Sequence, residues 1–141
     1  MELLKLAATR VLVPGAVASE IEAYGEADPT ALALRNTDWL ESVDLDAVPL
    51  EVARWDLGRG ETEVLAWALA HPGAEAVVDD LGARRCAATL GIPVRGTVGL
   101  VLFAKKLGQL PAARPVLDQL RDAGMYLSDH VMKSALALVD E

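Results

Sequence analysis

Apolar residues fall along this chain in two patterns, short runs bounded by Pro or Gly and longer stretches in which they recur every three or four positions. A short run is what a buried strand leaves in a sequence, whereas the three-to-four spacing marks one face of a helix. Leu3, Leu4, Leu6 and Ala7 predict a short opening helix, and Arg10-Val11-Leu12-Val13 predicts a brief strand ended by Pro14. Val17, Ile21 and Tyr24 stripe a helix from about Gly15 to Tyr24, closed by Gly25. A helix over Pro29 to Asn36 follows, and the partial alternation of Val43, Leu45 and Val48 within Trp39 to Val48 predicts an edge strand.

From Gly60 onward the pattern strengthens. Val64, Leu65, Ala68 and Leu69 trace one face of a helix that ends near His71-Pro72-Gly73, and Ala76-Val77-Val78 reads as a short, fully buried strand. Leu81 to Leu90 is a small-residue helix closed by Gly91. Ile92-Pro93-Val94 is a short strand, and Gly96-Thr97 opens an apolar helix that reaches Lys106. Two more helices cover Ala112 to Ala123 and Ser128 to Val139. Strands separated by helices in this order indicate an α/β sandwich with a parallel sheet built from right-handed crossovers. Ligands in such sheets gather at the carboxyl ends of the strands. With 141 residues and no repeat or linker, one domain over residues 1–141 is expected.

Composition narrows the function. Apolar residues make up 52% of the chain, enough for a core and too many for a disordered segment. The apolar stretch from Gly96 to Ala104 is stopped by Lys105 and Lys106, far short of the roughly 20 residues of a membrane-spanning helix. Met1 leads directly into Glu2-Leu3-Leu4-Lys5-Leu6 with no leader pattern, so a cytoplasmic location is expected. Cys86 is the one cysteine, which excludes an internal disulfide. Its neighbours Ala83, Ala87 and Ala88 suggest a small core side chain.

The net charge of −8 argues against a plain nucleic-acid binder, but the average conceals a division. Residues 1–80 hold five Lys/Arg against sixteen Asp/Glu, whereas residues 81–121 hold seven Lys/Arg against Asp118 alone. Such halves either solvate different faces or set an acidic metal site beside a phosphate-binding surface.

Four acidic positions carry candidate chemistry. Successive helical residues are turned by about 100°, so Glu61 shares the face of Val64, Leu65 and Ala68, while Glu63 lies nearly opposite. A carboxylate on a core-facing stripe is costly unless it is paired, opens onto a cleft or binds a metal, so Glu61 needs an explanation and Glu63 does not. Capping of the first helical turn is the simplest one. Glu20 sits on the edge of the Val17–Tyr24 stripe. Asp79 and Asp80 follow a buried strand directly, at its carboxyl end; Asp80 is placed to cap the next helix, and two adjacent carboxylates exceed what a cap requires. Oxygen donors from three elements suit Mg²⁺ or Mn²⁺ rather than zinc. The matching chemistry is phosphodiester hydrolysis, in which such an ion activates water and offsets charge on phosphoryl oxygens.

The run Leu57-Gly58-Arg59-Gly60-Glu61-Thr62-Glu63-Val64-Leu65-Ala66 comes first. It is followed by Val77-Val78-Asp79-Asp80 with Ala83-Arg84 and Ala87, then Gly91 to Val94, Gly96-Thr97-Val98-Gly99, and Ala104-Lys105 with Gly108. Together these resemble a prokaryotic branch of PIN-domain proteins, VapC-like toxin nucleases among them. Val13-Pro14 with Val17 and Glu20-Ile21, and Leu127-Ser128 with Asp140-Glu141, extend the resemblance over nearly the whole chain.

The resemblance implies a three-layer α/β sandwich and a ribonuclease dependent on Mg²⁺ or Mn²⁺. It further implies RNA as substrate, an antitoxin protein as partner and a homodimer. Glu20 matches the second acidic position of the family, Glu61 the third, and Asp79-Asp80 the fourth, with Asp79 the closer match. The family's first strand and its Asp have no counterpart, so a catalytically silent, partner-binding domain is the alternative. Arg84 matches a family Arg able to orient a carboxylate or hold a phosphate. Thr97 is placed to bind a phosphate or to cap its helix, and Lys105 to touch an RNA backbone.

Other chemistries lack support. His71 and His130 form no local metal motif, there is no Gly-x-Ser-x-Gly, and Gly58-x-Gly60 lacks the rest of a dinucleotide fingerprint. Trp39, Trp55 and Trp67 are scattered over separate elements, which suits packing better than base stacking.

Overall fold

Helices and short strands alternate in the order the sequence predicts, in a computed structural model that describes residues 2–141. The first half holds α1 (Glu2–Ala7), β1 (Val11–Pro14), α2 (Gly15–Glu22), α3 (Pro29–Asn36), β2 (Leu40–Val43), α4 (Leu50–Ala53) and α5 (Arg59–Ala70). The second holds β3 (Ala76–Val77), α6 (Leu81–Leu90), β4 (Val94–Arg95), α7 (Thr97–Lys106), α8 (Arg114–Asp122) and α9 (Asp129–Ala137). This is the mixed α/β sandwich expected, with short parallel sheets flanked by helices. Only α4 went unanticipated, because one helical turn leaves no periodicity to read. No helix among the described residues is long and apolar enough to cross a membrane.

Local chemistry sets the element ends. Asp28 accepts from the N–H groups of Thr30 and Ala31 and so starts α3, with Pro29 in the first turn where its missing N–H costs nothing. Gly91 closes α6 with φ at 70°, a left-handed geometry that a side chain would resist. Ser128 caps α9 by accepting from the Val131 N–H at 3.2 Å.

The β strands form two separate parallel pairs, β1 with β2 and β3 with β4. Helix α5 packs against both β1 and β3 and joins the halves. One core cluster gathers Val52, Leu65, Ala76, Val78, Cys86 and Ile92 around α5, α6 and the β3–β4 pair. A second gathers Val101, Leu117, Met132 and Leu136 among α7, α8 and α9. Cys86 is fully buried, as its alanine neighbours suggested, and burial pushes its thiol pKa up. The strand around Ala76 is not buried throughout. Ala76 and Val78 point inward, but Val77 between them is 38% exposed, because residues alternate across a strand and its side chain lines an open apolar groove.

Helix α8 has no side-chain cap of its own, and Glu141 supplies one: its carboxylate accepts from the N–H groups of Ala113 at 2.7 Å and Arg114 at 3.0 Å. These donors, with Lys105 at 3.8 Å, hold the Glu141 carboxyl below the ordinary carboxylate range. A carboxyl whose pKa is depressed by folding stabilises the fold above its unfolded pKa and loses that effect as pH falls through the folded value. Urea midpoints recorded from about pH 6 down to about pH 3 should therefore fall in the wild type. They should start lower and fall less in Glu141→Gln, and identical slopes would remove this role.

Candidate functional site

Helices α2 and α5 begin without side-chain caps, at Pro14 and Gly58, so their first N–H groups need acceptors from elsewhere. The two helices run antiparallel and supply each other. Glu20 of α2 accepts from the Gly60 N–H at 3.1 Å, and Glu63 of α5 accepts from the Ala16 N–H at 2.7 Å. Each carboxylate thereby meets the positive end of its neighbour's dipole. A Cβ at Gly60 would stand 2.9 Å from a Glu20 oxygen, so a side chain there would push the carboxylate off this N–H. The Asp44 carboxylate joins Glu63 around Gly15 at the start of α2.

Glu63 therefore needs the explanation that helical geometry denied it. Its side chain is only 19% exposed, and its partner lies 47 residues away on another helix, beyond the reach of periodicity. The legible signal was the pair of uncapped helix starts at Pro14-Gly15 and Gly58-Arg59. Glu63→Ala should destabilise the fold by about 1–2 kcal/mol by stranding the Ala16 N–H, and Glu63→Gln, which keeps an acceptor, by less than half as much. Equal urea midpoints for wild type and Glu63→Ala would remove the contact from the energetics.

Glu61 lies in the first turn of α5 with its carboxylate folded back over Gly58, where a Cβ would collide with it. Glu20 and Glu61 thus bracket the same helix start. Because α5 turns back at His71–Ala74 into β3, that start lies toward the carboxyl end of β3.

Asp79 and Asp80 follow β3 and separate at once. Asp80 caps α6 by accepting from the Ala83 N–H at 2.8 Å. Asp79 turns the other way and holds the start of α7, accepting from the Thr97 N–H at 2.8 Å and its hydroxyl at 2.5 Å. Arg84 reaches the same corner: its Nη1 and an Asp79 oxygen both stand within 3 Å of where a Cβ on Gly96 would be. Thr97 and Arg84 therefore gather around Asp79. Lys105 does not join them, because it lies eight residues further along α7 and is bound to the Pro111 carbonyl at 2.6 Å.

Among the described residues no three His, Cys, Asp or Glu side chains form a group able to hold a metal ion. The carboxylates offer the hard oxygen chemistry that Mg²⁺ or Mn²⁺ takes. Glu20, Asp79 and Asp80 are each spent on main-chain donors, so the residues as arranged do not make a cage.

A family model described as a PIN domain matches residues 1–141. The chain belongs to the PIN-domain family. This is a nuclease-type family whose members generally depend on divalent metal. No curated protein and no solved structure matches the chain. In this PIN domain, the acidic positions carried over from resemblance occupy two corners, Glu20 with Glu61 at the start of α5 and Asp79 with Thr97 and Arg84 between β3 and α7.

Proposed function

We propose that this PIN domain is a metal-dependent endoribonuclease, the toxin of a toxin–antitoxin pair, with Glu20, Glu61, Asp79 and Asp80 as its acidic residues. The observation that carries this reading is the corner at the carboxyl end of β3. There Asp79 stands beside a guanidinium and a hydroxyl, groups suited to an RNA phosphate. Arg84 and Thr97 hold the phosphate in this account, and Lys105 touches the RNA backbone. An antitoxin protein and a second copy of the chain are the proposed partners.

A second reading, a catalytically silent PIN domain that binds a partner, is favoured by the absence of a three-acid group among the described residues. Single-stranded RNA incubated with Mg²⁺ or Mn²⁺, alongside Mn²⁺ calorimetry, separates the two. The nuclease reading expects cleavage that EDTA stops, whereas neither cleavage nor Mn²⁺ binding leaves the silent reading in place.

A further inference from the structure

The eleven glycines of the chain fall into two groups. Gly25, Gly73, Gly91, Gly108 and Gly124 have positive φ and open space beside them, so they serve turns. The other six lie outside the left-handed range, and conformation alone does not call for glycine there. Space does. A Cβ at Gly99 would meet an Arg95 methylene at 3.0 Å, and at each of the remaining five it would crowd a carboxylate oxygen.

Gly58 with Glu61 and Gly82 with Asp80 are close in sequence, where a helix start brings them together. Gly60 with Glu20 and Gly96 with Asp79 are joined only by the fold. At Gly60 the two Glu20 oxygens would stand 2.9 and 3.0 Å from a Cβ. At Gly96 the Asp79 Oδ1 at 2.9 Å and the Arg84 Nη1 at 2.7 Å converge on one such point. Gly60 is the second residue of α5, where alanine would be the better helix former. Without a methyl in the way, each carboxylate lies against main chain and accepts an N–H, Glu20 from Gly60 at 3.1 Å and Asp79 from Thr97 at 2.8 Å. An added methyl would meet the free end of a flexible side chain, so the fold survives it and the carboxylate moves.

We propose that Gly60 and Gly96 are positioning residues of the acidic site, each keeping open the space in which one carboxylate, Glu20 or Asp79, is held. Their consequence for cleavage rests on the nuclease reading, whereas the holding of the carboxylates does not. A misplacement of about 1 Å at a reacting group is enough to lower a rate roughly 100-fold. One methyl at either position is therefore a large change for catalysis and a small one for stability.

The full chain carrying Gly60→Ala or Gly96→Ala is compared with wild type by urea midpoint, amide hydrogen exchange and cleavage of single-stranded RNA with Mg²⁺. The midpoint should stay close to wild type. The N–H of residue 60 in the first variant and of Thr97 in the second should exchange about tenfold faster, each relative to its intrinsic rate. The kcat should fall about tenfold or more with KM changed much less. Gly99→Ala, which crowds Arg95 and no carboxylate, should alter neither Thr97 exchange nor cleavage. Where either variant unfolds, the pairs Glu20→Ala with Gly60→Ala and Asp79→Ala with Gly96→Ala decide, because the methyl should be harmless once the carboxylate is gone.

The proposal is overturned if exchange at these N–H groups is unchanged, or if cleavage persists while they are released. It is also overturned if the methyl lowers the midpoint as much without the carboxylate as with it. A wild type that cleaves no RNA overturns the nuclease reading instead, and exchange then decides alone whether the glycines hold the carboxylates.

Discussion

Asp79→Asn is expected to lower RNA cleavage on the order of 100-fold or more while leaving the melting temperature nearly unchanged. The substitution separates two roles of this side chain. As a structural group, Asp79 accepts from the Thr97 N–H and from its hydroxyl; an Asn oxygen keeps the first bond, and the Asn amide can donate to the hydroxyl in place of the second. In the proposed nuclease role it would supply negative charge, which Asn lacks. Asp80→Asn should likewise keep the fold, because Asn caps a helix as well as Asp does and the α6 cap should survive. Glu61→Gln should follow Asp79→Asn, since its carboxylate makes no contact that Gln could not replace at the start of α5. Full cleavage by both Glu61→Gln and Asp79→Asn would sink the site assignment while leaving the fold untouched.

Leu65→Ala is expected to cost about 3 kcal/mol in urea unfolding, among the largest losses a single side chain here can give. Leu65 is fully buried at the centre of α5, the helix that packs against both strand pairs. Its neighbours Val52, Val78, Cys86 and Ile92 come from four elements or their flanks and cannot all move inward to close a cavity. The same truncation at Leu138, which is 64% exposed, should cost little. A loss below about 1 kcal/mol at Leu65 would mean that α5 is not the element joining the halves.

What the sequence disclosed follows the range of the interaction. The bounds of α3 and α6 were readable because Asp28-Pro29 and Asp80 start them and Gly91 ends the second, all signals within a few residues. Helical geometry singled out Glu61 and left Glu63 unexplained, since the Ala16 N–H that engages Glu63 belongs to a helix 47 residues away. Val77 was read as buried because its neighbours are apolar, and the groove beside it is a property of the assembled strands. The engagement of Asp79 with Thr97, 18 residues on, likewise lay outside any local pattern.

The exchanged carboxylates of α2 and α5 bear on how this molecule opens. Neither helix has its first turn satisfied until the other has docked, so fraying at one start leaves an N–H stranded at the other. Two helix ends some 40 residues apart in sequence therefore melt as one cooperative unit, and the corner holding Glu20 and Glu61 is either ordered entirely or lost entirely.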